Sequence, residues 1–477
     1  MWQPVLMISG YFISLLGVAM LIPAGVDVYY TNANWSYFIT SSIISLFIGV
    51  SLFLANNNKI NHISLQQGYL LTCCSWFSVA ILAAIPFVLY GTNIPDAVFE
   101  AFSGISTTGA TIYKDVEKLP KAILLWRAIL HGLGGVGIVI FAIALLPFLG
   151  IGGMQVFQRE NSDVNEKFMP KISYIAKRII WVYLILMMGC MLALKLAGMG
   201  WFDTICQTLS TIATGGFSTK NKSIAAFNSS LIEWVIICFM FLAALPLTFY
   251  HSLLATKNIH SLRSSQVAAF IKVLCVYIGG LTIWLWWNNI YDFTTSLRMA
   301  AFNVVSIVTS TGFVTADYLN WGIFAGALFL IFALTGGCTG STSGSVKIFR
   351  WQVVWIQIKR TFVSILEPNR MLPLKIGQSN ISWDVAYSIL IFLAVYSVSI
   401  TVLTLIVSVC GVDFVTAFSA VIACITNSGP GIGNIVGPTG TYSDLSDVVK
   451  YILAITMIVG RLEVMTVLVV FTKNFWK

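Results

Sequence analysis

The sequence predicts an all-α polytopic membrane protein in which one helical unit is repeated four times behind an N-terminal helix pair. Three observations predict it. Of 477 residues, 58% are hydrophobic and only 9% charged, and the mean hydropathy is +0.87. That composition is too apolar for a water-soluble domain. A bilayer core of about 30 Å takes roughly 20 apolar residues per helix, and about ten stretches fit such a span, some broken by Gly or Pro. Finally, a small, uncharged, glycine-centred stretch recurs four times: "STTGAT" (106–111), "TIATGGFST" (211–219), "SIVTSTGFVT" (306–315) and "CITNSGPGIG" (424–433).

The chain opens with "MWQPVLMISGYFISLLGVAMLIP", which lacks the basic n-region and A-x-A site of a secretory signal, so it reads as a retained first helix. Helices near residues 3–25 and 36–55 and the polar turn "NNNKINH" complete an N-terminal pair over 1–62. Four units follow, over 63–150, 151–258, 259–366 and 367–477. In each, a long helix leads to an Asp-headed half-length segment, then the Thr/Ser/Gly stretch, then a returning long helix. The half-length segments are headed "PDAVFEAF", "FDTICQTL", "YDFTTSLR" and "VDFVTAFS". Aspartate suits a helix N-terminus, where it accepts from free amides and faces the positive end of the dipole. Taking Gly109, Gly216, Gly312 and Gly429 as equivalent, the intervals are 107, 96 and 117 residues. Such spacing marks internal duplication.

A net charge of +9 invites a nucleic-acid reading, but the basic residues collect in alternate connections. Lys59, then Arg159 to Arg178, Lys257 to Lys272, Lys347 to Lys375, and Lys473 with Lys477 form those groups. This is the positive-inside pattern. It places these connections in the cytoplasm and the four glycine-centred stretches on the opposite side.

Catalytic and metal chemistries find little support. The nine cysteines fall mostly in apolar spans without a CxxC pair, and His62, His131, His251 and His260 form no ligand cluster. No paired carboxylates or nucleophile with a base suggest an enzyme. "HGLGGVG" (131–137) satisfies GxGxxG but follows no strand, so its glycines are expected to let helices approach closely. "GSTSGSVK" (340–347) lacks P-loop spacing. No organic cofactor is expected on this chain, and any nucleotide would be bound by a partner.

The half-length segments are too short to cross a bilayer, and their polar continuations cannot face lipid. Non-helical backbone at membrane depth is tolerated where it lines a water-filled cavity. The four are therefore expected to be re-entrant pore helices, each followed by an extended segment descending towards one central ion pore. A dehydrated monovalent cation takes several oxygen ligands, and inward-pointing carbonyls replace its hydration shell. Glycine permits the backbone angles this requires, and the pore helices aim their negative ends at the centre.

These residues resemble the superfamily of K⁺ transporters that includes the Trk, Ktr and HKT families, and most closely the bacterial Trk type. The resemblance covers essentially the whole chain and implies one polypeptide folded around a single K⁺ pore. Its selectivity filter would comprise Thr107, Thr108 and Gly109; Thr214, Gly215 and Gly216; Ser310, Thr311 and Gly312; and Asn427, Ser428 and Gly429. The fourth copy departs from the Thr pattern but is similar to the family's own divergent fourth filter. In plant members, serine at the first glycine goes with Na⁺ preference; glycine at 109 favours K⁺.

Two further stretches fit the resemblance. "ALTGGCTGSTSGSVKIFR" (333–350) interrupts the return helix of the third unit. A Gly/Ser/Thr tract weakens a helix through backbone entropy and competing hydrogen bonds. In the family, the loop over 335–347 acts as an intramembrane gate, here with Gly336, Gly337, Gly340, Ser341, Thr342, Ser343, Gly344, Ser345 and Lys347. "GRLEVM" places Arg461 and Glu463 inside the last apolar helix. Intramembrane charges are expensive and usually functional. Two residues apart on a helix they share no face, so each is expected to have another partner. The resemblance sets Arg461 below the filter as a positive barrier. It also implies a homodimer in the bacterial inner membrane and a cytoplasmic nucleotide-binding regulator resembling TrkA. Gated K⁺ conduction is the first reading. A K⁺ symporter coupled to H⁺ or Na⁺ is the alternative and calls for mid-membrane carboxylates, for which Glu233 and Glu463 are the few candidates.

Overall fold

The structure, a computed structural model, describes all residues except 33, 57–63, 145–167, 248, 251–264, 371–373, 377–378 and 434. Most of the polar turn at 56–62, the basic groups around Lys59, Arg159, Lys167, Lys257 and Arg263, and His62, His251 and His260 lie outside the described residues.

The N-terminal pair is α1 (Trp2–Ala19), its continuation α2 (Leu21–Tyr29), and α3 (Trp35–Ala55). Gly10 and Gly49 face each other across the α1–α3 contact, and a Cβ at either would stand 2.7 Å from the other's carbonyl oxygen. Small residues bring membrane helices to backbone contact in this way.

The first unit comprises α4 (Leu65–Ala83), α5 (Ile85–Leu89), the half-length α6 (Ile94–Ile105) and the return helix α7 (Lys121–Ala144). A capping box starts α4: the Ser64 hydroxyl accepts from the Gln67 amide while the Gln67 side chain accepts from the Ser64 amide. The second unit is α8 (Phe168–Leu196), α9 (Trp201–Ile212) and α10 (Ser230–Ala243). The third is α11 (Ser265–Trp287), α12 (Phe293–Val308), α13 (Ile323–Ala333) and, beyond an irregular loop, α14 (Ile348–Leu366). A two-residue antiparallel ladder, β1 (Lys375–Ile376) with β2 (Ser379–Asn380), leads to the fourth unit: α15 (Trp383–Val409), α16 (Phe414–Ile425), α17 (Asp447–Arg461) and α18 (Val464–Val470).

Among the described residues, seven helical stretches are long and apolar enough to span a bilayer, or eight if α17 and α18 count as one bent span. The expectation of about ten falls to this number because α10 and α13 are short apolar helices and the third return helix is broken by its Gly/Ser tract.

The units close on themselves. The return helix α7 packs on α9 of the next unit, α10 on α12, α13 on α16, and α17 of the fourth unit on α6 of the first. Each half-length helix is thus held by its own unit and the preceding one. The faces turned inward are buried, while Phe47, Ile323, Leu366 and Val409 stand exposed on the outer surface. An apolar exterior of this extent belongs against lipid.

Candidate functional site

Each half-length helix ends in the same way. The amides of Thr108, Gly215, Thr311 and Ser428 donate to the carbonyls of Ser103, Ser210, Ser306 and Ala423, at 2.8–3.0 Å. One residue earlier, Thr107, Thr214, Ser310 and Asn427 take left-handed backbone angles, with φ of 54°, 53°, 56° and 55°. One residue later, Gly109, Gly216, Gly312 and Gly429 do so again, at 81°, 85°, 79° and 84°. Alternating the hand turns successive carbonyls towards one side instead of opposite sides, as a cation-lining backbone requires.

The four segments form a closed ring. A Cβ on Gly109 would collide with the carbonyl oxygen of Gly215, one on Gly216 with that of Thr311, and one on Gly312 with that of Ser428. The circuit returns at Gly429, whose Cβ would stand 2.6 Å from the Thr108 oxygen. The oxygens of Thr108, Gly215, Thr311 and Ser428 accept no backbone hydrogen bond from any described residue outside the helices. Buried carbonyls are nearly always paired, so four free ones converging in a ring are available to a cation. Thr107, Thr108, Thr214, Ser310, Thr311, Asn427 and Ser428 are all fully buried. The structure thus brings together all twelve residues that the repeat and the resemblance single out. In the fourth segment the Gly429 carbonyl also accepts a 2.8 Å hydrogen bond from the Tyr442 hydroxyl.

A second layer braces the ring, and the sequence reading missed it. Nine residues before each central glycine stand Glu100, Gln207, Asn303 and Ala420. Glu100 accepts from the Thr111 hydroxyl and the Ile112 amide at 3.0 Å. Gln207 donates to the Ser218 hydroxyl at 2.8 Å, and Asn303 to the Thr315 hydroxyl at 2.9 Å. Each side chain pins the outgoing strand of its own segment back to the half-length helix. Alanine at 420 cannot, and the Ser419 hydroxyl donates to the Ile432 carbonyl instead. Glu100 also forms a buried ion pair with Arg127 of α7 at 2.6 Å. A second acidic residue, mid-way along a half-length helix, and an arginine in the helix that follows were the available signals. His131, one turn beyond Arg127, accepts from or donates to the Ser210 hydroxyl through Nδ1 at 2.8 Å and stacks on Phe217, behind the second segment. Among the described residues no group of His, Cys, Asp or Glu could hold a metal ion.

Gly134 and Gly135 do serve close packing: Cβ atoms there would strike Ile105 and Ala213 at the ends of α6 and α9. All nine cysteines are free.

The Gly/Ser tract after α13 is an ordered loop directly against the ring. The Gly336 amide donates to the Val346 carbonyl at 2.8 Å and the Gly337 amide to the Ser343 hydroxyl at 2.8 Å. The Ser341 hydroxyl donates to the Cys338 carbonyl, Thr342 to Ala243 and Ser345 to Ala333. Lys347 donates its ammonium to the Ser343 carbonyl, and the Gly340 carbonyl accepts from the Leu247 amide. The Gly344 amide reaches the Ser310 hydroxyl at 2.5 Å. A Cβ on Gly344 would stand 2.6 Å from the Thr426 carbonyl oxygen. The loop is therefore in contact with the third and fourth segments at their helix-proximal ends.

Arg461 and Glu463 are not inside one helix. The chain turns through 106° between α17 and α18, with Glu463 at the corner in a left-handed conformation, φ 64°. Gly460 lets the last turn of α17 pack closely on α16, since a side chain there would strike the Ile425 carbonyl. Glu463 pairs with Arg350 of α14 at 2.7 Å, as the expectation of a separate partner requires. Arg461 is buried, and none of its three guanidinium nitrogens has a hydrogen-bond partner among the described residues. Lys347, Tyr183 and His131 lie within its electrostatic reach. The pair Glu233 and Glu463 is also incomplete as a set of membrane carboxylates, since Glu100 and Asp27 are both more deeply buried than either. Glu233, in the first turn of α10, faces Arg298 at 3.5 Å.

Comparison with known proteins agrees with this architecture. A family described as "TrkH: Cation transport protein" matches residues 35–477. The Trk system potassium uptake protein TrkH of Salmonella typhimurium is 34% identical over 98% of both chains. The Trk system potassium uptake protein TrkI of Halomonas elongata is 34% identical over 100% of this chain and 97% of its own. The crystal structure of the potassium transporter TrkH from Vibrio parahaemolyticus superimposes over 100% of both chains, with a TM-score of 0.93 at 31% identity. The ring of four glycine-centred segments, its cyclic packing and these full-length matches together establish that the chain belongs to the TrkH family of cation transport proteins.

Proposed function

We propose that this protein carries K⁺ into a bacterial cell across the inner membrane, through a channel-like pore whose filter is the ring of four segments. The observation that carries the reading is the set of free carbonyls at Thr108, Gly215, Thr311 and Ser428, held in a closed circuit by the alternating backbone. Potassium sheds its water at such oxygens, and the ends of four converging helices add negative potential. The loop over 335–347 is the gate and Arg461 its electrostatic partner. The unit boundaries at 62/63, 150/151, 258/259 and 366/367 belong to the same reading. So do a homodimeric assembly and a cytoplasmic nucleotide-binding regulator similar to TrkA, both inferred from the resemblance to Trk systems.

Conduction is favoured over coupling to H⁺ or Na⁺ because Glu100, Glu233 and Glu463 each face an arginine, respectively Arg127, Arg298 and Arg350. A coupling carboxylate has to take up and release an ion in each cycle, which such pairing opposes.

The test is ⁸⁶Rb⁺ uptake into liposomes holding the purified protein and an internal K⁺ load, run in parallel with a variant whose 340–346 tract is shortened. Uptake competed by external K⁺ but not by Na⁺ or Li⁺ is expected, and more of it in the shortened variant. Competition by Na⁺ as strong as by K⁺ would overturn the filter reading; no gain on shortening the tract would overturn the gate.

A further inference from the structure

The Glu100–Arg127 pair does more than neutralise two charges. Its carboxylate is fully buried and its guanidinium 2% exposed, at 2.6 Å through Nε. The other guanidinium nitrogens each have a separate task. One donates to the Ser218 carbonyl at 3.2 Å and the other to the Thr111 hydroxyl at 3.1 Å. Thr111 is two residues beyond Gly109 and Ser218 two beyond Gly216, so one planar cation holds equivalent points on the outgoing strands of the first and second segments. The plane is fixed from one side by Phe217, whose ring centroid lies 4.0 Å from the guanidinium carbon. Ser218 is held from its own unit as well, by Gln207.

The other three junctions are tied by hydrogen bonds to the equivalent positions: the Ala225 amide donates to the Val314 carbonyl at 3.4 Å, the Tyr318 hydroxyl to the Gly431 carbonyl at 3.4 Å, and the Tyr442 amide to the Thr111 carbonyl at 2.9 Å, with Asn427 also donating to the Thr108 hydroxyl at 2.9 Å. Gln207, Asn303 and, in the fourth unit, Ser419 pin only the strand of their own unit. Among the described residues, the first junction alone is bridged by a buried ion pair whose one guanidinium reaches both outgoing strands.

We propose that Glu100 and Arg127 are selectivity-determining positioning residues, which fix the separation of the first and second glycine-centred segments and so set how well their carbonyls fit K⁺ rather than the smaller Na⁺. This rests on the reading of the ring as a K⁺ filter. A filter discriminates between these ions only while its oxygens hold a defined spacing or field. A guanidinium supplies the planar fork that spans three acceptors; an ammonium of equal charge does not. The geometry, and not the charge alone, carries the role.

The experiment measures initial ⁸⁶Rb⁺ uptake in cells of a K⁺-uptake-deficient bacterium expressing the full chain, and the ratio of Na⁺ to K⁺ concentrations that halve it. That ratio is independent of how much protein is folded. Arg127→Lys is the central variant, because it keeps the buried charge. Its ratio is expected to fall roughly tenfold, equivalent to about 1.4 kcal/mol. A double variant, Glu100→Met with Arg127→Leu, removes both charges, avoids an unpaired buried ion, and is expected to lose selectivity to the same extent. Should either variant give no measurable uptake, the ratio is read instead from the K⁺- and Na⁺-dependent rise in melting temperature of the purified protein. A wild-type ratio in both Arg127→Lys and the double variant overturns the proposal. Gly109→Ser serves as the control. If it lowers the ratio while the brace variants do not, the brace is wrong and the filter stands. If Gly109→Ser also leaves the ratio unchanged, the filter reading itself fails.

Discussion

Thr107, Thr214 and Ser310 occupy left-handed backbone angles that glycine or asparagine would take far more readily; only the fourth copy uses asparagine, at Asn427. Sparsely populated angles of this kind cost of order 1–3 kcal/mol each and persist where the surroundings over-determine them. Here the surroundings are the amide bonds to the helix ends and the neighbouring strand. The central glycines were legible because glycine at a recurrent spacing is a strong signal. The strained threonines were legible as members of the motif but not in their conformation, since β-branched residues disfavour it and no local rule predicts the exception. The same holds for Arg127, whose role depends on contacts with a strand 91 residues away. At this scale the sharpest prediction concerns Gly109→Ser. Its side chain would enter at φ 81° against the Gly215 carbonyl, so that oxygen must shift. We expect the K⁺ over Na⁺ preference in uptake to drop about tenfold or more, with the carbonyl geometry lost where the ion sheds water. An unchanged ratio would remove Gly109 from the filter.

At the scale of elements, the Asp-headed half-length helices were read correctly as a class and unevenly in detail. Asp292 and Asp413 are true N-caps, accepting from the Thr294 and Thr295 amides and from the Thr416 amide at 3.0–3.2 Å. Asp96 lies within the first turn and pairs with Lys450 of α17 at 2.6 Å, while Asp203 accepts from the Thr219 hydroxyl at 2.6 Å. One residue type thus serves capping in two units and tertiary bonding in two, a distinction set by partners that are distant in sequence. The break between α17 and α18 was equally hidden, because its apolar flanks have the composition of a continuous span. The caps carry a pH signature. Hydrogen bonds from Thr294 and Thr295 hold the Asp292 carboxyl at about 2, below its ordinary 3.8. A carboxyl lowered by folding stabilises the folded state above its unfolded value, and that contribution fades as pH falls through the folded value. Asn keeps the acceptor without the charge. The melting temperature of the wild type should therefore exceed that of Asp292→Asn by about 1–2 °C at pH 7, with the gap closing between pH 4 and about pH 2. A gap that does not vary with pH would show that charge at this cap is immaterial.

At the scale of the molecule, cyclic packing converts four weakly similar sequence units into one ring, and the closing contact of α17 on α6 is the part no local pattern could reveal. Repeat spacing predicted equivalence of the units; the order in which they meet depends on which return helix packs on which half-length helix. The same closure sets the end of α17, where Arg461 lies, against the end of α16. Among the described residues its guanidinium nitrogens have no hydrogen-bond partner, whereas Arg127, Arg298 and Arg350 each face a carboxylate. An uncompensated buried cation is costly to fold, and in the proposed pathway it would repel each entering K⁺. At an effective dielectric of about 20, unit charges roughly 8 Å apart repel by about 2 kcal/mol, enough to slow passage by about tenfold or more. Arg461→Ala should therefore raise ⁸⁶Rb⁺ flux per folded protein by about that factor, while Arg461→Lys, which keeps the charge, should stay near the wild-type rate. Because removing a buried unpaired charge also lifts a folding penalty, Arg461→Ala should melt no lower than the wild type. Flux equal to or below wild type in a fully folded Arg461→Ala protein would mean that the guanidinium is not a barrier to ions, and the buried positive charge would then need a structural explanation.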